Sequence, residues 1–401
     1  MTHSDLHRRD LLRLAAVLPL AGSARVFATP ATDTRLLVVF MRGGYDASNV
    51  LVPITSDFYH AARPTIAVAR PNPANPIAAL PLDHDYGLHP AFRNTLYPFW
   101  AKRELAFVPF TGTTDISRSH FETQAAIERG LASVEGALSS TTGFLGRLAG
   151  VLNGAIPMAF TDRAPLIFRG GPAVPNIAAQ ALGQSNFDPK AAALIARMYR
   201  KDALNSAVSA GFGASTAVSK ALATEMVTSG QGAIHSDTFE GAARKIGRVM
   251  ANKYTLGFVD VGGWDTHVDQ GGGGGGLAYT LNEFGKGLAG FAAEVGPAAW
   301  KRTVVLVISE FGRTFHENGS HGTDHGHGTA YWLMGGLVAG GKLHGEQVRL
   351  SQATLNEGRD LPVLNDYRAV LAGLFRRMYG LSATEVDKVF PGAKPVELGL
   401  V

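Results

Sequence analysis

A continuous apolar run at residues 304–308, VVLVI, sets the first limit on the fold of this 401-residue chain. Apolar side chains at every position, rather than at alternate positions, predict a strand that is buried on both faces. The run stops at Ser309 and Glu310, where polar residues begin. Strands of this kind occur in parallel sheets that have helices packed on both sides. The run therefore predicts an α/β fold.

Four other segments have the length and composition of strands. They are residues 35–41, 104–110, 165–168 and 254–261. Apolar residues recur at helical spacing from Leu277 to Phe291, which predicts a helix before the run at 304–308. Strands that alternate with helices favour a central, mostly parallel sheet sandwiched by helices. We expect this architecture for residues 29–401, as a single domain.

Three further patterns describe parts of this domain. The Ala-rich region from about residue 180 to 250 predicts a helical layer or lid. Residues 271–276 are six consecutive glycines, which predict a mobile loop or a linker. Near the C-terminus, one helix is predicted from about Asp366, and a second has a capping box formed by Ser382 and Glu385.

Polar side chains follow four predicted strands at the point where each strand ends. They are Asp46, Ser119 after its loop, Glu310, and the pair Asp265 and His267. The carboxyl ends of parallel strands share one edge of an α/β sheet, which is where ligands bind. Two residues apart, Asp265 and His267 lie on the same side of an extended segment, which suits two ligands of one metal. We therefore expect residues that are far apart in sequence to form one site.

A histidine cluster lies in the Gly-rich segment after the run at 304–308. Asp324-His325-Gly326-His327 alone offers three ligand side chains within four residues. Imidazole and carboxylate groups together suit a divalent metal ion. The alternative is a solvated polar loop whose histidines have no function. We favour the metal site, because the cluster follows a buried strand.

Ser119 stands at the predicted start of a helix, FETQAAIERG. Glu122 follows three residues later, which predicts a capping box between the two side chains. The amide groups and the dipole of a helix N-terminus also favour a bound oxyanion or phosphate, and Arg118 is adjacent. Capping alone would explain the serine. A structural and a chemical role for Ser119 therefore both stay open.

The first 28 residues have the order of an export signal. Arg8 and Arg9 precede an apolar stretch at residues 14–21, and small residues end it around Ala28. This order predicts a twin-arginine signal peptide, cleaved after Ala28, and a periplasmic or secreted protein. The twin-arginine route carries folded proteins, often with a metal or cofactor already bound. The export machinery is thus one expected partner.

Composition excludes several classes of function. The chain has no cysteine, which excludes a disulfide, a thiolate metal ligand and a cysteine nucleophile. The formal net charge of +4 falls to +2 without the leader, which carries four arginines and two aspartates. No basic block is interleaved with aromatic residues, so nucleic acid is not an expected partner. No internal apolar run is long enough to predict a membrane span after processing.

Five motifs, taken in order, resemble one family. They are GGYD at 43–46, SRSHFE at 117–122, GGWDTH at 262–267, VISEFGRT at 307–314 and DHGHG at 324–328. The set is similar to an exported bacterial domain-of-unknown-function family, numbered fifteen hundred and one, within the alkaline phosphatase and sulfatase superfamily. The resemblance covers essentially the whole mature chain and implies an alkaline-phosphatase-like fold.

The resemblance also implies roles for individual residues. Asp46 matches the metal ligand that follows the first strand of the superfamily. Ser119, or as the second choice Ser117, matches a hydroxyl nucleophile at a helix N-terminus. Asp265 and His267 match an aspartate and a histidine that bind one metal.

Two departures from the superfamily pattern change what is expected. The strand that ends in Asp-His-Gly corresponds to residues 309–312, where a glutamate replaces the aspartate and Phe311 replaces a histidine ligand. A second metal would be weakly held unless Asp324 or His325 substitutes. The final histidine of the pattern corresponds to His327 or His325. Sulfatase activity is not expected, because the chain lacks cysteine and residues 117–119 lack the required proline.

These observations predict a periplasmic metal-dependent hydrolase that acts on a phosphate ester or related oxyanion ester of a small molecule or polymer. One or two divalent ions (Zn, Mn, Mg or Ca) would lower the pKa of Ser119 or of water, while the helix N-terminus and Arg118 hold the oxyanion. The alternative is a protein with the same fold that binds a metal or ligand without catalysis. The loss of a ligand at Phe311 favours this alternative. The expected metal ligands are Asp46, Asp265, His267, Glu310, Asp324, His325 and His327.

Overall fold

The computed structural model describes residues 33–133, 141–178, 197–198 and 239–401. The predicted signal peptide, residues 1–28, lies outside the described residues. The same holds for most of the predicted helical layer at 180–250, of which residues 239–250 are described as a helix. Within the described ranges, no helix is long and apolar enough to cross a membrane.

The described residues form two sheets. In chain order the strands are β1 (Arg35–Met41), β2 (Leu51–Pro53), β3 (Leu80–Pro81), β4 (Tyr86–Leu88), β5 (Leu105–Gly112), β6 (Pro157–Ala159), β7 (Leu256–Val261), β8 (Thr303–Ser309), β9 (Thr329–Met334) and β10 (Asn365–Asp366). The central sheet has seven strands in the order β10-β5-β9-β8-β1-β7-β6, and β2, β4 and β3 form a small antiparallel sheet. The runs predicted at residues 35–41 and 304–308 are thus neighbouring strands of one sheet.

The central sheet is mostly parallel, as predicted. β1 pairs in parallel with both β7 and β8, β7 pairs in parallel with β6, and β5 with β10. Only β9 runs the other way among the described strands, because it pairs antiparallel with both β5 and β8. The carboxyl ends of β1, β5, β7 and β8 therefore lie along one edge, where the polar segments of the sequence follow them.

Helices lie against this sheet. They are α1 (Ala47–Val50), α2 (Asp57–Ala62), α3 (Tyr97–Ala101), α4 (His120–Arg129), α5 (Phe144–Val151), α6 (Phe239–Asn252), α7 (Gly276–Trp300), α8 (Tyr367–Tyr379) and α9 (Ala383–Val389). The two C-terminal predictions are confirmed. The Asp366 side chain caps α8, and Ser382 and Glu385 form both bonds of the capping box that begins α9.

Side chains of β1 alternate between two buried clusters, one on each face of the sheet. Leu37 and Val39 belong to a cluster with α6 and α7, whereas Leu36 and Val38 belong to a cluster with α5, α8 and α9. Every residue of β1 and of β8 is buried. A strand covered on both faces needs apolar side chains at every position, which explains the unbroken runs.

One prediction about the chain was wrong. Residues Leu166–Phe168 form a 3₁₀ turn instead of a strand, and the Ile167 amide donates to the buried carboxylate of Glu128 rather than to a neighbouring strand. Within the glycine run, Gly272 and Gly273 approach the backbone of residues 66–67 and 77 closely, whereas Gly275 and Gly276 are exposed. A Cβ atom on Gly273 would lie 1.9 Å from the carbonyl oxygen of Ile77, so only glycine fits this close approach between backbones.

Candidate metal centre

Three side chains that arise from different parts of the sheet edge meet at one point. His120 is the first residue of α4, which follows the loop after β5, while Asp265 follows β7 and His325 lies between β8 and β9. One ligand atom from each of these residues lies within 4.8 Å of the other two. The shared carboxyl edge predicted by the sequence therefore gathers metal-binding groups from three strand ends.

Distances within this group match the edges of a small coordination polyhedron. The Nε2 atom of His325 lies 2.9 Å from Nε2 of His120 and 3.2 Å from Nε2 of His267. Oδ1 of Asp265 lies 2.8 Å from Nε2 of His267 and 3.2 Å from Nε2 of His325. A tetrahedral zinc site with bonds of about 2.0–2.1 Å has ligand–ligand separations of about 3.3 Å. The spacing therefore fits His120, His325 and Asp265 around one ion, with Nε2 of His267 close to the last two.

Each of the three imidazoles is oriented by an acceptor on its other nitrogen. Nδ1 of His120 lies 2.8 Å from Oε1 of Glu310, Nδ1 of His267 lies 3.2 Å from Oδ1 of Asp324, and Nδ1 of His325 lies 3.0 Å from the carbonyl oxygen of Arg118. Carboxylate and carbonyl oxygens only accept, so each Nδ1 carries the hydrogen. The neutral rings then direct their Nε2 lone pairs toward one another and toward Asp265. This arrangement is favourable only with a shared proton or a cation at the centre.

The pKa directions of the two closest histidines indicate where a proton would be shared. The hydrogen bond to Glu310 raises the pKa of His120 above its ordinary value. Burial, and then the charge of His120, lower the pKa of His325. A proton at the centre therefore belongs to His120, whose Nε2–H donates to His325. A metal ion bound at this point would have to displace that proton.

Asp265 is held in place by a buried arginine. Arg313 follows β8, and its NH1 group lies 2.5 Å from Oδ1 of Asp265. Arg313 also donates to Oγ1 and to the carbonyl oxygen of Thr323. Burial alone would raise the pKa of Asp265, but the hydrogen bond and the charge of Arg313 outweigh it, so the pKa lies below its ordinary value. Asp265 is therefore an oriented, ionised carboxylate.

Glu310 lies behind His120 rather than at the centre itself. Its buried Oε1 accepts from the amide of Gly43, from Nδ1 of His120 and from Nε2 of Gln124, each at 2.8 Å. Burial opposes ionisation, yet these donors, with His120 first, bring the pKa of Glu310 below its ordinary value. The residue predicted as a metal ligand thus orients a histidine.

Behind the ligand side chains lies an outer layer of residues that orient them, to which Glu310 belongs. Three residues on one face of α4 are connected to this layer. His120, Gln124 and Glu128 are spaced by four residues, so they span about 12 Å along the helix. Arg42 donates to Oε1 of Gln124 at 2.9 Å and to Oε1 of Glu128 at 3.0 Å. The arginine thereby directs the amide nitrogen of Gln124 toward Glu310.

Asp46 is not part of the central group. It is 1% exposed, and its Oδ2 accepts from NH1 of Arg63 at 2.5 Å and from Nε2 of Gln270 at 2.7 Å. Arg63 is fully buried, so the two residues form a buried ion pair. Asp46 lies after β1 as predicted, but its Oδ2 accepts hydrogen bonds from an arginine and a glutamine and does not contact histidines.

His327 and the side chain of Arg118 also face away from the central group. The Arg118 guanidinium binds Asp360 at 2.7 Å and Glu357 at 2.6 Å. His327 is buried near Arg118 and Asp360, and burial lowers its pKa. Arg118 has a positive φ of 55°, and its carbonyl oxygen accepts from His325. Arg118 therefore orients His325 through its backbone carbonyl oxygen, and Asp324 orients His267 through its carboxylate.

Ser119 precedes α4 as predicted, but the predicted capping box is not formed. The Ser119 side chain makes no cap hydrogen bond. Asp115 instead ties the loop to the first turn, because it accepts from Ser117 Oγ at 2.8 Å and from Thr123 Oγ1 at 2.7 Å. Ser119 is half-buried beside His120, and no hydrogen bond of its Oγ is present within the described ranges.

Phe311 stands where the resemblance to the superfamily implies a histidine ligand. Its ring centroid lies 4.9 Å from that of His120 and 5.3 Å from that of His325. The phenyl ring thus packs against two of the converging imidazoles. No ligand atom is available here for a second ion.

Sequence reasoning missed His120, which the structure places at the centre. A signal was present, because His120 is the first helical residue after a strand-end loop and stands next to Ser119 in SRSHFE. The outer residues Gln124 and Arg313 were also missed. Their side chains resemble ordinary surface groups until the contacts with Glu310 and Asp265 are known.

A family model described as "Protein of unknown function (DUF1501)" matches residues 33–390. The chain belongs to the DUF1501 family. The match runs from the segment before β1 to the residue after α9, so the whole candidate centre lies within the DUF1501 region. Comparison with curated proteins found no match, and comparison with solved structures found none. The chemistry of this DUF1501 protein must therefore be argued from its own residues.

Proposed function

We propose that this chain is an exported, metal-dependent hydrolase that cleaves esters of phosphate or a related oxyanion and has an alkaline-phosphatase-like fold. The observation that carries the proposal is the convergence of the His120 and His325 imidazoles with the Asp265 carboxylate, with Nε2 of His267 beside the last two, each group being oriented from behind by an acceptor or by Arg313. Ligating histidines typically have such outer acceptors. The predicted twin-arginine leader supports delivery to the periplasm after folding.

His120, His267, His325 and Asp265 would hold the ion. Three nitrogen donors and one oxygen donor favour zinc, or another transition metal that binds imidazole, over Mg²⁺ and Ca²⁺, which prefer oxygen ligands. A bound ion of this kind acts as a Lewis acid that activates an oxygen nucleophile and stabilises charge on the leaving oxygen. One ion suits the donor set, because Phe311 packs where a further ligand would be needed.

Ser119 is the proposed nucleophile, and its freedom from capping supports this role. It directly precedes His120, at the start of a ten-residue helix whose first amide groups favour an anion. Arg118 would hold the oxyanion only by exchanging Asp360 or Glu357 for the substrate. Ser117, which donates to Asp115, and a water molecule are the other sources of the attacking oxygen.

A non-catalytic metal-binding protein is the second candidate. Phe311 against His120 and the paired state of Arg118 favour it, because both remove groups that catalysis on an oxyanion would use. Metal binding without turnover is the outcome expected of this alternative.

Metal titration and ester hydrolysis, measured on the same protein, separate these proposals. Chelator-treated protein should bind about one Zn²⁺ and then hydrolyse aryl phosphate esters. Ser119→Ala should keep zinc affinity and lose turnover by at least about 1,000-fold, and Ser119→Asn should not restore it. Ser117→Ala is the matched control and should retain activity. Full activity in Ser119→Ala would move the attack to Ser117 or water, and zinc binding with no turnover by the unmodified chain would favour the binding protein.

A further inference from the structure

His267 lies at the edge of the candidate metal centre. The group whose ligand atoms all lie within 4.8 Å of one another consists of His120, Asp265 and His325. Nε2 of His267 lies beside this group, 2.8 Å from Oδ1 of Asp265 and 3.2 Å from Nε2 of His325. Its side chain is 40% exposed, against 20% for His120 and 28% for His325. Packing therefore fixes the ring of His267 less than it fixes the other two imidazoles.

The carboxylate that orients His267 is itself open to solvent. Oδ1 of Asp324 lies 3.2 Å from Nδ1 of His267, and the Asp324 side chain is 51% exposed. A hydrogen bond between two open side chains is weak, because water competes for both partners and both lose rotamer freedom when they pair. The Glu310 carboxylate that orients His120 is, by contrast, fully buried. Asp324 therefore needs a further contact to hold His267 in one position.

Asn318 supplies this contact. Its Nδ2 donates to Oδ1 of Asp324 at 3.1 Å and to the carbonyl oxygen of His267 at 2.9 Å. Its Oδ1 accepts from the amide of Ser320 at 2.9 Å and from the amide of Gly322 at 3.0 Å. A side-chain amide has two donor hydrogens and two acceptor lone pairs, so all four are used. Turning the amide over would set donors against donors and an acceptor against acceptors, which fixes the orientation of the Asn318 side chain.

The backbone around Asn318 is held independently of its side-chain amide nitrogen. Backbone hydrogen bonds of 2.9–3.0 Å join residues 266–270 to residues 320–323. Gly322 packs so closely that a Cβ atom on it would lie 2.3 Å from the carbonyl carbon of His267. The two segments would therefore stay together without the Nδ2 contacts. What Nδ2 adds is a fixed position for the Asp324 carboxylate, and through it for the His267 ring.

We propose that Asn318 is a positioning residue that holds His267, through Asp324, where Nε2 of His267 becomes a ligand of the ion. This inference rests on the metal centre of the proposed function, and it adds the residue that decides whether two or three imidazoles bind. The position requires an amide at this length of side chain. Aspartate offers no donor to Asp324, and alanine offers neither a donor nor an acceptor.

NMR of the imidazole nitrogens, on the full chain with isotope-labelled histidine, tests the proposal without any substrate. In the unmodified chain, Zn²⁺ should shift the Nε2 resonances of His120, His267 and His325, and His267→Gln assigns one of them. Asn318→Asp keeps an acceptor for the loop amides but sets a carboxylate against Asp324. In this variant the His267 resonance should no longer respond to Zn²⁺, whereas the other two should. Zinc affinity, from calorimetric titration, should fall by at least about tenfold.

Gly319→Ala and Asn153→Asp are the matched controls. A Cβ atom on Gly319 would meet nothing within 4 Å, so this change alters the same loop without reaching Asp324. Asn153→Asp makes the same change of charge at an exposed position after α5. Both controls should keep the zinc response of His267 and the zinc affinity of the unmodified chain. A His267 response in Asn318→Asp equal to that in the controls overturns the positioning role.

The path through Asp324 has its own test, which remains available if Asn318→Asp does not fold. Asp324→Ala removes the acceptor at an exposed position and should also abolish the zinc response of His267. In that background Asn318→Ala should cost no further zinc affinity, and an additive loss overturns the path.

The metal-free spectra separate this inference from the proposed function. If no imidazole of the unmodified chain responds to Zn²⁺, the metal centre is overturned, whatever Asn318 does. The His267 ring of the metal-free chain should still carry its hydrogen on Nδ1 in Gly319→Ala and lose this preference in Asn318→Asp. The same tautomer in both variants would show that Asn318 does not position His267.

Discussion

Nearly the same four residues follow two neighbouring strands, yet the aspartates in these two segments have different surroundings. β1 is followed by Gly43-Gly44-Tyr45-Asp46 and its parallel neighbour β7 by Gly262-Gly263-Trp264-Asp265. Tyr45 and Trp264 are both fully buried. Asp46, however, is enclosed with Arg63, whereas the Asp265 side chain is 43% exposed and faces three imidazoles. The shared motif places a carboxylate at the sheet edge without deciding what that carboxylate does.

The residues that follow each motif account for the difference. After Asp46 the chain enters α1, whose four residues are all buried. After Asp265 the chain continues through Thr266 to His267 in a partly exposed loop. A carboxylate enclosed in protein needs a fixed counter-charge, which Arg63 supplies. An open carboxylate beside imidazoles remains available to a ligand.

A chain of hydrogen bonds connects the two carboxylates. Gln270 donates to Asp46 and accepts from Oγ1 of Thr323 at 3.0 Å. Thr323 Oγ1 accepts from Nε of Arg313, which in turn holds Asp265. The buried pair thus supports the position of the arginine that orients the exposed carboxylate.

The largest expected effects come from removing each carboxylate in turn. Asp46→Asn leaves the buried Arg63 without its counter-charge and should lower the free energy of unfolding by about 3–5 kcal/mol. Asp265→Asn also removes the ion-pair partner of the buried Arg313, so it should cost stability too, but less than Asp46→Asn because the Asp265 side chain is 43% exposed. It should in addition weaken zinc binding by at least about 100-fold, because changes to outer residues alone cost 10–100-fold. Denaturant titration and zinc titration of both variants measure the two effects.

The comparison breaks if the two variants behave alike. Loss of zinc with full stability in Asp46→Asn would make Asp46 a ligand, as the superfamily resemblance implies. Asp162→Asn, an exposed change near β6, is the control for both measurements and should alter neither.

A smaller effect is expected from His89, which anchors the glycine run close to Asp46. Its Nε2–H donates to the Gly272 carbonyl at 2.9 Å, and its Nδ1 accepts from the Ala91 amide, so the ring is neutral. Burial lowers the pKa of His89 from 6.5 to about 4, although the charge of Asp46 opposes this. The unfolded chain therefore binds the proton first. Stability should be full above pH 6.5 and fall by on the order of 3 kcal/mol as the pH drops to 4.

Unfolding curves of the unmodified protein and of His89→Gln, measured between pH 4 and 7, check this dependence. The difference in unfolding free energy between the two proteins should shrink as the pH falls. His84→Gln, at an exposed position, is the control. A difference that stays constant over this range would contradict a buried neutral histidine.

The smallest effect concerns the outer layer on the Asp265 side. Arg42→Gln frees the Gln124 amide to rotate away from Glu310, which loosens the hold on His120. Zinc affinity should fall by about tenfold, the lower end for outer residues. In a Gln124→Met background the same change should cost little more, because Arg42 acts through Gln124.

Calorimetric zinc titration of the two single variants and the double variant measures this coupling. Arg35→Gln removes a guanidinium that binds the carbonyl oxygens of Met250 and Ala251 and should leave affinity unchanged. If the losses of zinc affinity in the Arg42 and Gln124 single variants add up in the double variant, Arg42 does not act through Gln124.

Much of the framework follows from local patterns in the sequence. The apolar runs at β1 and β8 predict strands buried on both faces, and the helical spacing before β8 predicts α7. The direction of parallel strands then places the segments after β1, β5, β7 and β8 along one edge. These features depend on residues close in sequence, whose periodicity is visible without a structure. The motif order likewise indicates the DUF1501 family.

The partners of each side chain were decided only by the tertiary structure. Asp46 pairs with Arg63 rather than with histidines, Glu310 binds His120, which is 190 residues away, and His327 lies by Asp360. A side chain's role depends on burial and on the charges that face it, and these come from segments far apart in the chain. The sequence therefore determines which strands bring polar residues to the edge, whereas packing around that edge determines which of those residues can reach a metal ion.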